Sequence, residues 1–158
     1  EVEQDEHYRI LTDAQHAEPR ATAADAISHS LREAAHIVSA KATVIYTHSG
    51  SSSIRASRER PEAPILSLTP KTATARRLAL VWGVHSVLTN ETTDINTMTD
   101  LACKTALEEG FAKVGDSVVI AAGVPFGRAG TTNMLRLATV WPDKTPAPPR
   151  KPRSRRKT

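Results

Sequence analysis

Apolar residues recur along the chain in two alternating rhythms, one of short continuous runs and one of helical spacing. In ATAADAISHSLREAAHIVSA, Ile27, Leu31, Ala34, Ala35 and Val38 fall three or four positions apart, which predicts an amphipathic helix. Thr22 with Asp25 three positions later resembles a capping box at its start. KATVIYT (41–47) is a short β-branched run and reads as a buried strand. A helix over about 51–60 follows and stops at Pro61. APILSLT (63–69) predicts a second strand, KTATARRLALVWG (71–83) a helix closed by Gly83, and VHSVLT (84–89) a third strand. DINTMTDLACKTALEEG (94–110) predicts a helix with Met98, Leu101, Ala102 and Thr105 on one face and Gly110 at its end. After the turn KVGD (113–116), SVVIAAG (117–123) and MLRLATV (134–140) are the fourth and fifth strands.

Strands separated by helices favour crossover connections, hence a parallel sheet covered on both faces. The last two strands have no helix between them, so the fifth is expected antiparallel to the fourth, as an edge. In open sheets of this class ligands bind at the carboxyl ends of the strands. Two polar loops are placed there: Thr47–Ser53 after the first strand and Gly123–Asn133 after the fourth.

The first loop lies within VIYTHSGSSSIRAS (44–57), where an apolar run breaks into hydroxyls. A Gly- and Ser-rich turn before a helix presents free backbone N–H groups, and the helix dipole favours an anion there. Thr47, Ser49, Ser51, Ser52 and Ser53 add hydroxyl donors, so a phosphate ester is the natural guest. The same residues also serve any plain helix start. A His48–Ser49 nucleophilic dyad fails on geometry, because adjacent side chains diverge and no third group orients them. In the second loop, Arg128 is placed to close over a phosphate as a charged donor. Neither G-x-x-x-x-G-K-[ST] nor G-x-G-x-x-G is present, which argues against a nucleotide P-loop.

Three further groups are read as structural. His29 and His36, with Glu33 between them, form a polar stripe, read as a solvated face or a subunit contact rather than a metal site. Cys103 is a small core residue of its helix. Trp82 and Trp141, at element ends, are expected to anchor packing.

Composition changes this picture at the termini. The chain of 158 residues suits one domain with tails. Residues 1–20 read as a lead-in, 21–141 as the folded unit and 142–158 as a Pro-rich tail. That tail carries +6 of the net +4, leaving the body at −2. The basic charge therefore belongs to an expected solvated extension with no dedicated partner, and nucleic acid is not the expected ligand. The longest apolar stretch, around 118–124, is far too short to span a membrane as a helix. A single cysteine rules out an internal disulfide framework and fits a cytoplasmic setting. The chain starts at Glu1 without an initiator Met, as a piece of something longer would.

Several motifs coincide in order: THSGSS, RERP before the second strand, LTP with a following TARRL, GV before the third strand, KVGD and GTTN. Over roughly residues 22–140 this resembles the C-terminal domain of bacterial-type pyruvate kinase. The resemblance implies a three-layer α/β/α sandwich with a five-stranded mixed sheet whose last strand is antiparallel. It implies a regulatory domain that follows a catalytic barrel, helps assemble a homotetramer and binds a phosphorylated effector. The parent reaction would be phosphoenolpyruvate plus ADP giving pyruvate plus ATP, with Mg2+ and K+. The barrel's catalytic residues are absent from this chain, so no catalytic residue, cofactor or metal is expected in it. The implied effector loop is Thr47, His48, Ser49, Gly50, Ser51 and Ser52, and the closing loop is about 124–131 with Arg128 and Gly130. Relatives activated by a sugar bisphosphate often carry Lys at the position of His48 and Arg at that of Ser51. Two fixed positive charges are missing here, which favours a monophosphate held by hydroxyls and N–H groups. A stand-alone phosphometabolite-binding domain of the same fold, without kinase activity, is the alternative.

Overall fold

A computed structural model of the chain describes residues 19–128 and 130–142. The expected lead-in and most of the expected tail lie outside the described residues. The elements run α1 (Ala23–Ile37), β1 (Ala42–Tyr46), α2 (Ser51–Glu59), β2 (Ile65–Thr69), α3 (Thr72–Leu78), β3 (Val84–Leu88), α4 (Ile95–Glu108), β4 (Ser117–Gly123) and β5 (Thr132–Thr139). The sheet order is β3-β2-β1-β4-β5. β1, β2, β3 and β4 pair in parallel, and β5 runs antiparallel to β4 at the edge.

The three central strands are buried throughout or nearly so, which is why they read as continuous apolar runs. Alternate side chains still go to opposite faces. Ala42, Val44 and Tyr46 join Leu66, Leu68, Val118 and Ile120 against Met98, Ala102 and Ala106 of α4. Ile45, Ile65, Val119 and Ala121 meet Leu31 and Ala35 of α1 and Ala56 of α2. Helices thus cover both faces of a five-stranded mixed sheet, in three layers. The face of α1 predicted from spacing is the one it buries.

Thr22 caps α1 by accepting the Asp25 N–H at 3.1 Å, but the return arm of the box differs. Thr22 N–H is already bonded to the Arg20 carbonyl at 2.7 Å, so Asp25 instead takes the Thr22 hydroxyl at 2.6 Å. α2 ends where expected, with Arg60 in the left-handed region at φ 50° just before Pro61.

α3 is shorter than its pattern. It ends at Leu78, and the apolar residues 79–83 form tight turns with Leu80 bonded back to Arg77 and Val81 to Leu78. Gly83 then turns at φ +70°, and its carbonyl takes the Ile65 N–H at 2.9 Å. Delivering β3 in register with β2 ends the helix one turn early. The two tryptophans also depart from expectation. Trp141 is 60% exposed, and Trp82 at 36% covers no core. Trp82 instead carries the Arg60 guanidinium 3.9 Å above its ring centroid, a cation–π contact. Cys103 is half-buried against the α4-side core, and burial pushes its thiol up.

Candidate functional site

The two loops singled out above meet. Their strands, β1 and β4, are neighbours in the sheet, with Tyr46 opposite Ala122 at the carboxyl ends. The connection from β1 leads to β2 on one side, while β4 lies on the other. This is the topological switch point, where open α/β sheets leave a crevice. A shallow, solvent-open cleft lies there. Thr47, His48, Ser49, Ser51 and Ser52 line it from one loop, and Phe126, Arg128, Gly130, Thr131 and Thr132 from the other.

The serine loop is built by its own hydrogen bonds. Thr47 Oγ1 accepts the Gly50 N–H at 2.9 Å, and the hydroxyls of Ser49 and Ser51 lie 3.0 Å apart. Gly50 does not line the cleft. It is the residue before α2, at φ +81°, where a side chain is strained. A Cβ there would also come within 3.2 Å of Leu78 and Thr74. Two side chains of α3 hold the loop from behind. Thr74 Oγ1 donates to the His48 carbonyl at 2.8 Å, and Arg77 donates to the Ser49 carbonyl. Those carbonyls are thus engaged on the α3 side, while the N–H groups of Thr47, Gly50 and Ser51 bond to the Leu68 carbonyl, Thr47 Oγ1 and Ser49 Oγ. Thr74→Val is expected to weaken binding of inorganic phosphate by about tenfold, since the part-buried His48 carbonyl loses its donor and the loop its tether. Calorimetric titration checks this.

The hydroxyls do not all serve the cleft. Ser53 is fully buried and bonded to Ser67 of β2 at 2.7 Å, so it belongs to the helix–sheet contact and not to the anion-ready set. Ser57 donates to the Trp82 carbonyl at 2.7 Å. Ser52 reaches across to the second loop, its hydroxyl 2.5 Å from that of Thr132. Among the described residues, the Ser52 and Ser53 N–H groups have no hydrogen-bond acceptor at the start of α2.

The second loop is shaped by its own clamp. Asn133 accepts the Val124 N–H at 2.8 Å and donates to the Val124 carbonyl at 2.7 Å. Thr131 Oγ1 donates to the Arg128 carbonyl at 2.9 Å. Arg128 is exposed and forms no ion pair among the described residues. Its charge is available to an incoming anion.

An aromatic wall completes the cleft. The Tyr46 ring stands edge-on to His48 at 5.5 Å and to Phe126 at 5.6 Å. Burial pushes the Tyr46 phenol up, the Thr92 N–H that it accepts at 3.0 Å opposes this, and the charge of Glu91 adds to it. Sequence reasoning had no signal for this wall; Thr74 and Arg77 fall in the TARRL motif and Thr132 in GTTN, but nothing in the sequence showed what they touch. Those contacts depend on residues distant in the chain.

No His48–Ser49 dyad is formed, since His48 Nε2 points instead to Glu91 Oε1 at 3.1 Å. His29 and His36 meet Glu59 and Glu62 at 3.3 and 3.4 Å, so their stripe faces partners within the chain. Among the described residues no three His, Cys, Asp or Glu side chains group as metal ligands.

The profile of the family described as pyruvate kinase, alpha/beta domain, matches residues 25–138. The chain belongs to the pyruvate kinase family. It is 45% identical over 140 residues to the pyruvate kinase of Methylorubrum extorquens, covering 89% of this chain and 29% of that one. It is 38% identical over 142 residues to that of Geobacillus stearothermophilus, covering 88% and 24%. A solved structure of Cryptosporidium parvum pyruvate kinase in complex with ADP superposes with a TM-score of 0.74 at 27% identity, over 84% of this chain and 27% of that one. This chain therefore spans less than a third of the length of these pyruvate kinases, and what matches is the alpha/beta domain. Among the described residues, no helix is long and apolar enough to cross a membrane.

Proposed function

We propose that this chain is the regulatory and assembly domain of a pyruvate kinase, and that the cleft between β1 and β4 binds a phosphorylated effector. The observation that carries this reading is the convergence of the two anion-ready loops at the switch point. A phosphate there would meet the N–H groups of Ser52 and Ser53 and the hydroxyls of Thr47, Ser49 and Ser51. Arg128 would close from the opposite loop. A helix N-terminus favours such an anion through its dipole and its unsatisfied donors.

The whole protein would convert phosphoenolpyruvate and ADP to pyruvate and ATP in the cytoplasm. Mg2+ and K+ would be held by a catalytic barrel outside this chain. The domain would pack against that barrel and assemble a homotetramer, with a dimer as the expectation for this chain alone. An effector that draws 124–131 closed would bias subunit packing. Coupling of this kind is typically worth about 1–3 kcal/mol.

Ribose 5-phosphate, glucose 6-phosphate or AMP at millimolar concentration is expected to raise the melting temperature of the chain. Ser49→Ala combined with Ser52→Ala should remove the rise. Absence of any rise with every phosphorylated metabolite tried would sink the proposal.

A further inference from the structure

The fold sorts its charges by layer. α4 packs on one face of the sheet, against Leu66, Leu68, Val118 and Ile120, and α1 and α2 pack on the other. From its cap to its end α4 carries Asp94, Asp100, Glu108 and Glu109 against Lys104, all of them exposed. The other described residues hold twelve Lys and Arg against six Asp and Glu, so the acidic surplus belongs to the α4 layer. The end of this helix concentrates it. α1, α2 and α3 close on a basic last turn, with His36, with Arg58, and with Arg76 and Arg77. α4 closes on Glu108 and Glu109 with no basic residue in its last turn. Carboxylates at the negative end of a helix dipole reinforce its potential, and a cation is stabilising there. Lys104 lies 3.8 Å from Glu108 and His85 2.8 Å from Glu109, while Asp100 forms no ion pair among the described residues.

The most basic stretch of the chain begins beside that end. Val140 is fully buried, its N–H donates to the Asp116 carbonyl at 2.8 Å, and its carbonyl accepts the Gly115 N–H at 2.8 Å. Both partners lie in the turn that joins α4 to β4. The chain therefore passes the foot of the acidic helix just before residues 143–158, which hold seven Lys and Arg and one Asp. Apart from Ala147 and four prolines that stretch has no apolar side chain, so it cannot build a core of its own. Its sixteen residues, at about 3.1 Å each when Pro-rich and extended, reach about 50 Å. The fourteen residues of α4 span only about 21 Å.

We infer that residues 143–158 dock along the outer face of α4, as a basic strap held by Asp100, Glu108 and Glu109. Composition alone predicts a solvated tail without a partner. The fold supplies one, because α4 is the acidic surface within its reach and the other described residues are basic in sum. Each exposed ion pair is weak, but tethering raises the local concentration of the strap to the millimolar range. Salt should release it, as screening shortens the reach of exposed charges.

The test is nuclear magnetic resonance of the full chain with a nitroxide in the tail, attached through Ser154→Cys in a Cys103→Ser background. At low salt the amide signals of residues 100–110 should broaden at least about twofold more than those of α2. About 500 mM salt should abolish the difference, and so should Asp100→Lys combined with Glu108→Lys, both exposed positions. A labelled chain mixed with an isotope-enriched, unlabelled one should show no broadening, since the contact is within one chain. On the unaltered chain, zero-length carbodiimide cross-linking should join Lys144, Lys151 or Lys157 to Asp100, Glu108 or Glu109, whatever the fate of the variants. Equal broadening across the fold, broadening confined to residues 1–18, broadening between chains, or cross-links that leave out the α4 carboxylates overturns the inference.

Discussion

Ile120→Ala is expected to lower the unfolding free energy by about 2–5 kcal/mol, the range for deleting a large buried aliphatic side chain. Ile120 is fully buried at the centre of β4, opposite Val44 of β1 and Arg136 of β5. Its side chain enters the core shared with Met98, Leu66 and Leu68. Beside Val44, Tyr46, Val118 and Val140, that core is lined by Ala42, Ala102, Ala106, Ala112 and Ala122. Small side chains let α4 approach the sheet closely, but they cannot move to fill a void. The larger residues therefore carry most of the burial, and a cavity at Ile120 bordered by alanines stays a cavity. Domains of this size have about 5–15 kcal/mol in total, so the loss is a large fraction. Urea denaturation should show a lower midpoint with an unchanged slope. A loss under about 1 kcal/mol would mean that the α4 face collapses onto the gap, and the rigid-core account would fail.

The alternation of runs and helical spacings made the layers legible, because central parallel strands must be apolar on both faces. The antiparallel edge was legible from the missing helix before β5. What stayed hidden depended on which residues face each other across the fold. Five serines crowd VIYTHSGSSSIRAS, yet only placement in space separates Ser49, Ser51 and Ser52 at the cleft from Ser53 against Ser67 and Ser57 against the Trp82 carbonyl. The sequence likewise marks His48 as a residue of the loop, but not that its partner is Glu91, 43 positions away. Helix α3 was overextended because LALVW has helical spacing. Register with β2 overrides that local preference.

Among the described residues, the two sides of the cleft meet in the Ser52–Thr132 hydroxyl contact and the Tyr46–Phe126 ring contact, and Thr132 is 3% exposed. The loop between them is positioned by β4 at one end and β5 at the other. Geometry at the end of β4 therefore governs whether the loop can face the serines at all.

Gly123→Val is accordingly expected to weaken phosphate binding at least about tenfold while the chain remains folded. Gly123 ends β4, at a register irregularity with β5. A Cβ there would stand 2.7 Å from Thr131 Oγ1, 2.8 Å from the Thr131 carbonyl oxygen and 2.9 Å from its carbon. The hydroxyl can rotate away, but the backbone atoms cannot. Thr131 must shift, and with it the Thr132 and Asn133 contacts that set the loop. Overpacking of this kind costs about 1–3 kcal/mol of stability, which the domain survives. Gly110→Ala is the control. Gly110 has φ +75° with nothing within 4 Å of an added Cβ, so it costs only the left-handed strain of about 1–2 kcal/mol. The two variants should lose comparable stability in urea, yet only Gly123→Val should lose phosphate in calorimetry. If both lose phosphate alike, general loosening explains the result. If neither does, the 124–131 loop makes no contribution to the anion site.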